Sequence, residues 1–384
     1  MNTNFIKIGI PIVALIIATL IIGPSCNPNP IQEETVRIYT SIGAGDSHTL
    51  GVTEDGKLFA WGNNADGQLG TGNTTNHLIP FQIDLGTSWK AVYGGGKQTF
   101  ALKTDGSLFS WGNNDKGQLG IGNNTSENVP VAVDPGSTWK TISVGNQHVL
   151  GIKENGTLWA WGLNSSGQLG DNTTIDRNTP VQIGTSNNWK SISAGTTHSL
   201  AINENGALFA WGFNGNNAFG NGNQLDSLLP ILVDDSIWLK ASAGENYSVG
   251  IKSDGTLWSA GTNNQGQLGN GSQFSTPLFV QIGTESNWLD VDAGSFHVIA
   301  KKTDGIWTWG KNNFGNLGDG TNNIRYSPVK AYDQLCRFIL ATKENSYILL
   351  QNGQKDLFAT GDNVFGQIGN NSTTNSNLFL RVFG

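Results

Sequence analysis

The pair Trp-Gly recurs along the chain at an almost constant interval, and a Gly-Gln-Leu-Gly segment follows it a few residues later. The glycines of its seven copies are Gly62, Gly112, Gly162, Gly212, Gly261, Gly310 and Gly361, with Ala260 and Thr360 in place of two tryptophans. The steps between these glycines are 50, 50, 50, 49, 49 and 51 residues. Such a period means that one supersecondary unit is repeated seven times.

Each unit contains four short apolar runs. In the unit that begins at Trp189, apolar and small polar residues alternate over 189–195, 198–202 and 208–212, and 230–233 is a fourth run. Alternation at period two predicts strands. The chain is therefore expected to be all-β, a seven-bladed β-propeller of four-stranded antiparallel blades. A linear solenoid is less favoured, because it would need atypical terminal units and the first and last units here resemble the others.

Turn residues occupy fixed places in every unit. The pairs between the second and third runs are Asp55-Gly56, Asp105-Gly106, Asn155-Gly156, Asn205-Gly206, Asp254-Gly255, Asp304-Gly305 and Asn352-Gly353. They predict tight hairpins with type I′ turns on one common face. The first glycine of Gly-Gln-Leu-Gly, which is Asn217 in the fourth unit, predicts a left-handed residue. The asparagine two residues after each Trp-Gly glycine is expected to bond the backbone of its own loop.

The units resemble the repeat of the regulator of chromosome condensation family, whose core is Trp-Gly-x-Asn-x-x-Gly-Gln-Leu-Gly. The resemblance covers about residues 36–384 and implies a seven-bladed propeller. In the founding branch, a wedge inserted into the propeller drives nucleotide exchange on a small GTPase. The steps of 49 to 51 residues leave no room for a sizeable insertion. A secreted branch, similar to the bacterial β-lactamase inhibitor protein, binds an enzyme with one propeller face.

The N-terminus carries an export pattern. An uncharged run over 8–22 follows Lys7 and leads into Gly23-Pro24-Ser25-Cys26. This pattern predicts a signal peptide over 1–25, bacterial lipoprotein cleavage before Cys26 and lipidation of its thiol. Residues 26–35 would form a tether and 36–384 the propeller, giving a protein lipid-anchored in the cell envelope. A cleaved form that is secreted and soluble, or an uncleaved N-terminal anchor, are the alternatives.

The charge of the chain argues against a nucleic-acid partner. Lysine and arginine number 22 against 29 acidic residues, giving a net charge of −7, and there is no basic run. Binding to phosphates requires clustered cations. The expected partner is therefore a protein or a glycan, with membrane contact only through the lipid anchor, and the chain is expected to be a monomer.

No catalytic, cofactor or metal site is predicted. His48, His148, His198 and His297 occupy one repeat position, so ring symmetry places one in each of four blades and prevents convergence on a metal. Each is expected to be buried and bonded to a neighbouring strand. No nucleophile elbow, phosphate loop or calcium loop occurs. The thirteen tryptophans fall at three repeat positions. They are expected to pack between blades, although the plant ultraviolet-B receptor branch senses light with clustered tryptophans.

The segments between Gly-Gln-Leu-Gly and the fourth strand differ between units and are expected to be loops gathered on one face. Aromatic and arginine side chains commonly anchor interfaces. The candidate partner-binding residues are His77, Glu127, Asp176, Arg177, Leu225, Phe274, Arg325 and Tyr326. Since these are taken as loop residues, charge reversal at Arg177 or Arg325 is expected to leave stability nearly unchanged. Two segments, 30–32 and 380–382, are candidates for the fourth strand of the last blade, and the sequence does not choose between them.

Overall fold

The computed structural model describes residues 37–83, 86, 88–351 and 356–383, which form strands and no α-helix. Blades one to four contain β1 (Tyr39–Ala44), β2 (His48–Thr53), β3 (Leu58–Gly62), β4 (His77–Ile83), β5 (Trp89–Gly94), β6 (Gln98–Lys103), β7 (Leu108–Gly112), β8 (Glu127–Val133), β9 (Trp139–Val144), β10 (His148–Lys153), β11 (Leu158–Gly162), β12 (Arg177–Gln182), β13 (Trp189–Ala194), β14 (His198–Asn203), β15 (Leu208–Gly212) and β16 (Ser227–Asp234). Blades five to seven contain β17 (Trp238–Ala243), β18 (Tyr247–Lys252), β19 (Leu257–Gly261), β20 (Thr276–Gln281), β21 (Trp288–Ala293), β22 (His297–Lys302), β23 (Gly305–Gly310), β24 (Arg325–Tyr332), β25 (Cys336–Ala341), β26 (Asn345–Leu350), β27 (Leu357–Gly361) and β28 (Ser376–Arg381).

Each blade is an antiparallel meander of four consecutive strands, which confirms the predicted fold class. The first strands of neighbouring blades contact one another around the whole ring and line a central channel. Leu380 and Arg381 lie in β28, paired with β27, so the C-terminal candidate supplies the fourth strand of blade seven. The other candidate, 30–32, lies outside the described residues, as do the predicted signal peptide over 1–25, Cys26 and the predicted tether over 26–35.

The strand order gives the ring two faces. The connections β1–β2 and β3–β4 and their equivalents lie on one face, named the loop face. The hairpin turns between second and third strands and the links between blades lie on the other, named the turn face. First strands therefore run from the turn face to the loop face.

The apolar core is divided among the interfaces between blades. Leu50, Leu58 and Leu69 of blade one form one buried cluster with Trp89 and Trp111 of blade two. Burying a large apolar side chain in this way stabilises a fold by roughly 1.5–3 kcal/mol. The predicted packing of tryptophans between blades is confirmed at this interface.

Hydrogen bonds reinforce the same interfaces. The indole Nε1 of Trp111 donates to the carbonyl of Gln68 in the preceding blade at 2.9 Å. The ring closes with the equivalent bond, from Trp61 of blade one to the carbonyl of Gln367 of blade seven at 3.0 Å. The seam between the first and last blades is thus built like the interface between blades one and two.

The hairpins are present, but the predicted type I′ turn is wrong. In blade one the amide of Gly56 donates to the carbonyl of Thr53, and the amide of Thr53 donates to the carbonyl of Lys57. Gly56 has a φ of +75°, whereas Asp55 has no positive φ. This is a three-residue loop, a type I turn followed by a left-handed glycine. The turn at Asn352-Gly353 lies outside the described residues.

Two other local predictions are confirmed in all seven blades. Asn217 has a φ of +64°, and the six equivalent glycines have φ between +73° and +80°. The side chain of Asn64 accepts from the amide of Leu69 at 2.9 Å and donates to the carbonyls of Asn73 and Thr75. The equivalent asparagines accept the same amide bond. Each asparagine therefore fixes the course of its own loop.

Candidate functional site

The variable loops of the loop face have one length. The connection between third and fourth strands runs from 63 to 76 in blade one and contains fourteen residues in every blade. Blades therefore differ in the side chains that their loops present and not in loop size.

Several candidate residues lie in strands instead of loops, which corrects the predicted loop boundaries. His77, Glu127, Arg177 and Arg325 each begin a fourth strand, and Tyr326 follows Arg325. Each of the four strand-opening residues pairs with the Trp-Gly glycine of its blade, as His77 does with Gly62. Polar residues open these strands because the strands form the exposed outer edges of the blades.

Arg177 and Arg325 form ion pairs with largely buried aspartates, so the premise that they are unattached loop residues is wrong. Arg177 forms an ion pair with Asp171 at 2.7 Å, and the Asp171 side chain is only 8% exposed. Although burial raises the pKa of Asp171, hydrogen bonds from Thr173 and Arg177 hold it below its usual range. Arg325 makes the same pair with Asp319, which is 4% exposed.

Three further candidates also have local roles. Asp176 accepts from the amide of Asn164 at 2.8 Å and so helps to close its loop. His77 stacks on Phe81 with ring centroids 4.2 Å apart. Tyr326 lies against Gly266 of the preceding blade. Each of these side chains contributes to the loop or strand that carries it.

The loop face also presents exposed apolar side chains at the tips of three of its variable loops. Ile175, Leu225 and Phe274 occupy one repeat position in blades three, four and five and are 61%, 73% and 82% exposed. The equivalent residues in the other blades are Thr75, Thr125, Asn323 and Thr374. Leu225 and Phe274 were identified from the sequence, whereas Ile175 was missed. Aligning the units on the Asn64 position reveals it.

The channel opens on the loop face as a glycine-lined bowl of about 250 Å³. Its rim carries one residue from each blade: Asp46, Gly96, Asn146, Thr196, Glu245, Ser295 and Lys343. Lys343 lies 3.6 Å from Asp46. Burial raises the pKa of both Asp46 and Glu245 despite the nearby lysine. The charges are concentrated in blades one, five and seven.

The channel interior, about 390 Å³, contains side chains that bond blade to blade. Asp292 accepts from the hydroxyl of Ser242 at 2.9 Å and from the amide of Ala341 at 2.8 Å. Lys240 pairs with Asp290 at 2.5 Å. These contacts join blades five, six and seven. The charged side chains therefore hold neighbouring blades together along the channel wall.

The four repeat-position histidines are buried between blades, as expected. Nε2 of His48 lies 2.8 Å from the hydroxyl of Thr99 in the next blade. That hydroxyl donates its only hydrogen to the carbonyl of Gln68, so the ring nitrogen must donate to it. Nδ1 has no hydrogen-bond partner. Burial lowers the pKa of His48 to about 3.

The other three histidines follow the same pattern. His148, His198 and His297 bond Ser199, Ser248 and Ser346 of the next blades. Burial lowers their pKa values to about 3, 4 and 3. These side chains are neutral structural links at ordinary pH.

Other reactive groups are placed apart from one another. Across 37–83, 88–351 and 356–383, no group of three or more His, Cys, Asp or Glu side chains is placed to hold a metal ion. Within those same ranges no helix has the length and apolar character required to cross a membrane. Cys336 is a buried free thiol, and burial raises its pKa to about 11.

The sequence of the chain matches known protein families. The family model of the RCC1-like domain matches residues 22–249, which is more than half of the chain. The chain belongs to the RCC1-like domain family. The regulator of chromosome condensation (RCC1) repeat also matches over 254–300 and over 239–267.

Curated relatives of this RCC1-like chain match over single repeats. A stretch of 55 residues is 42% identical to the X-linked retinitis pigmentosa GTPase regulator of Canis lupus familiaris, covering 14% of this chain and 6% of that protein. A stretch of 57 residues is 46% identical to the ultraviolet-B receptor UVR8 of Arabidopsis thaliana, covering 15% and 13%. The matches thus span well under two thirds of the length of these relatives.

Solved structures share the whole ring of the RCC1-like chain. Human WBSCR16 is 20% identical with a TM-score of 0.75, over 83% of this chain and 87% of that one. Yeast RCC1 (Prp20), solved bound to Kap60, is 19% identical with a TM-score of 0.76, over 96% and 91%. At these identities the similarity shows a common fold.

Proposed function

We propose that this RCC1-like chain is a non-catalytic binding scaffold whose loop face holds a protein partner on blades three to five. The observation that carries the proposal is the set of apolar loop tips, Ile175, Leu225 and Phe274. They are highly exposed on neighbouring blades, while the other four blades have polar residues there. Exposed apolar residues that cluster on one side of a surface are typical of interaction sites.

Charge beside the tips suggests the chemistry of the partner. Asp176 follows Ile175 and Asp226 follows Leu225, and each carboxylate accepts only a loop amide, at 2.8 and 2.7 Å. Neither has a cation paired with it among the described residues. A partner with an apolar pocket and basic residues around it would complement both features. A protein partner also agrees with the yeast relative, which was solved bound to Kap60.

A nucleotide-exchange function is the alternative, and the loops argue against it. Every connection between third and fourth strands among the described residues is fourteen residues long, so none of these connections carries an inserted wedge. A role as an enzyme inhibitor on one propeller face remains a special case of the binding proposal.

Photo-crosslinking tests the binding proposal directly. A photoreactive phenylalanine analogue is placed at Leu225 or Phe274 in the full chain, and the protein is expressed in the organism that encodes it. The matched controls carry it at Thr75 or Thr374, which have the same loop position on other blades. Crosslinks to one protein from the first two sites, absent from the controls, are expected.

Affinity for the crosslinked protein gives the second measurement. Phe274→Ala should weaken binding by about tenfold or more, because an exposed aromatic anchor commonly supplies such a share, whereas Thr374→Ala should have little effect. Equal crosslinking from all four sites, or full affinity in Phe274→Ala, would reject blades three to five as the binding side.

Export and lipid anchoring are a separate part of the proposal. The supporting observation is the uncharged run over 8–22 ending near Cys26, ahead of a Pro-Asn tether. Expressed with its own N-terminus in a bacterium, the protein should enter the membrane fraction and take up a labelled fatty acid. Cys26→Ala should abolish the label, and Cys336→Ala is the matched control. An unlabelled, unprocessed cytoplasmic product would exclude this targeting.

A further inference from the structure

A ring of bulge residues surrounds the turn-face opening of the channel. In each first strand the register with the second strand skips one residue, as it skips Lys90 between Trp89 and Ala91. A bulged residue turns out of the regular pairing. The seven residues are Thr40, Lys90, Lys140, Lys190, Leu239, Leu289 and Arg337. They are named here the bulge ring.

The bulge ring has a basic arc. Lys90, Lys140 and Lys190 are exposed on blades two, three and four, and Arg337 is exposed on blade seven. Throughout the described part of the chain, none of these four cations forms an ion pair. In a chain with a net charge of −7, four unpaired cations around one opening are a local reversal of charge.

Acidic residues lie on the same face, including the exposed Glu154 and Glu204 on the turns of blades three and four, and none forms an ion pair with this arc in the described part of the chain. The aspartates of the hairpin turns lie further out on the same face, and each is bonded within its own turn. Asp55 pairs with Lys57 at 2.7 Å, and Asp105 accepts from the hydroxyl of Ser107 at 2.6 Å. Asp254 accepts from Thr256 at 2.6 Å in the same way. The cations of the bulge ring therefore remain available to an added anion.

An apolar arc lies beside the basic arc. Leu239 and Leu289, on neighbouring blades five and six, are 49% and 55% exposed at the same repeat position. The residue that follows Arg337 on blade seven is Phe338, which is also exposed and lines the channel. The opening thus offers cations along one side and apolar side chains along the other.

We propose that the bulge ring is a second binding site, which takes an acidic polypeptide segment carrying apolar side chains. The carboxylates would meet Lys90, Lys140 and Lys190, and the apolar side chains would meet Leu239 and Leu289. Charge complementarity selects the sign of the ligand, and the apolar arc selects an amphipathic segment over a simple anion. The site lies on the face opposite the loop tips, so the inference holds whether or not the proposed loop-face partner exists.

The two faces then prefer opposite partners. Beside its apolar residues, the set of loop tips has carboxylates without a paired cation, whereas the bulge ring has cations without a paired carboxylate. A propeller with both sites would join a basic partner to an acidic one, which makes the scaffold an adaptor between two proteins.

Fluorescence anisotropy tests the site with a defined probe. The probe is a labelled peptide of about eight residues in which Glu and Leu alternate, a length that suits an extended interface strand. The protein is the full chain in a nonionic detergent. Binding that weakens as salt rises is expected, since these charge contacts are exposed to solvent. A peptide with Gln in place of Glu should bind much more weakly.

Matched variants locate the binding. Lys90→Gln, Lys140→Gln and Lys190→Gln together should weaken the probe by about tenfold, from three exposed charge contacts of ordinary strength. The control, Lys97→Gln, Lys116→Gln and Lys343→Gln together, removes three cations from connections on the loop face, changes the net charge equally and should stay within about twofold. Leu239→Ser with Leu289→Ser should also weaken the probe, and thermal melts confirm folding. Single Lys140→Gln serves if the triple variant is unstable.

Several results would overturn the inference. Failure of the parent protein to bind the Glu-Leu peptide would do so, as would equal weakening by both lysine triples. Equal binding of the Gln peptide would show that the carboxylates of the Glu-Leu peptide do not contribute to binding. Sedimentation with phosphatidylglycerol vesicles that depends on the bulge-ring lysines, without peptide binding, would assign the ring to a membrane surface instead.

Discussion

Replacing His48 with glutamine should remove a defined share of the acid sensitivity of the fold. His48 is neutral and buried, and protonation would leave a charged ring with no acceptor for Nδ1. Its pKa is about 3 in the folded chain against 6.5 for an ordinary histidine. Between these values the unfolded chain binds a proton that the folded chain does not, so the free energy of unfolding falls as the pH falls below 6.5.

The magnitude follows from the same two pKa values. Each pH unit in this window is equivalent to about 1.4 kcal/mol per group. Lowering the pH from about 7.5 to about 5 should therefore cost about 2 kcal/mol for His48. The four buried histidines together should cost about 8 kcal/mol if they act independently, which is comparable with the whole stability of an ordinary domain.

Glutamine is a suitable replacement because it already occupies this repeat position in another blade of the propeller. Gln98 occupies the equivalent position in blade two, where its amide donates to the carbonyls of Gly145 and Asn146. Urea denaturation of the parent and of His48→Gln at both pH values gives four free energies of unfolding. The loss between the two pH values should be smaller by about 2 kcal/mol in the variant.

The difference between variants isolates this one group. Carboxyls with raised pKa values oppose the histidines in the same pH range, but parent and variant share them: Asp46, Glu245, Asp292 and Glu344. His77→Gln is the control, because His77 is half-buried at an outer strand and should change the pH dependence much less. Parallel pH dependences for parent and His48→Gln would refute the reasoning.

Three further substitutions test the packing, the ion pairs and the backbone. Trp189→Ala removes a buried ring that packs on Phe209 and should lower the free energy of unfolding by about 3–5 kcal/mol in chemical denaturation, while Lys190→Ala stays close to the parent. Arg325→Glu leaves the buried Asp319 carboxylate without its cation and should cost about 1–3 kcal/mol in the same assay; no loss relative to the exposed Arg337→Glu would contradict this role. Asn217→Ala should cost about 1 kcal/mol at its positive φ, and Asn217→Gly should not, as judged by thermal melts of both.

The sequence predicts the ring well because each constraint occurs seven times. A left-handed glycine, a loop asparagine and a strand of alternating residues are each weak alone, but a repeat requires the same answer at every copy. Asn217 illustrates this, since the residue that replaces glycine in one unit is the one that best tolerates the same backbone. The inter-blade role of His48 also followed, because symmetry excludes convergence on a common site.

The errors arise where one pattern is compatible with two structures. Asp55-Gly56 suits both a type I′ turn and a type I turn followed by a left-handed glycine, and only the pairing of Thr53 with Lys57 distinguishes them. The sequence predicts loop residues at Arg177 and Arg325, because polar side chains fill loops as readily as they open an exposed edge strand. Their buried partners are six residues upstream, and no single unit reveals the pair.

Every described blade consists of one uninterrupted stretch of chain, and no strand is exchanged between the first and last blades. The ends of the ring are joined by side-chain packing and by bonds such as that of Trp61 with Gln367. The order of blades along the gene is therefore not fixed by the architecture. Joining the natural ends and opening the chain at another inter-blade link, for example near Ser236, would preserve all seven sheets. The same independence allows whole blades to be duplicated or lost during evolution without rebuilding any sheet.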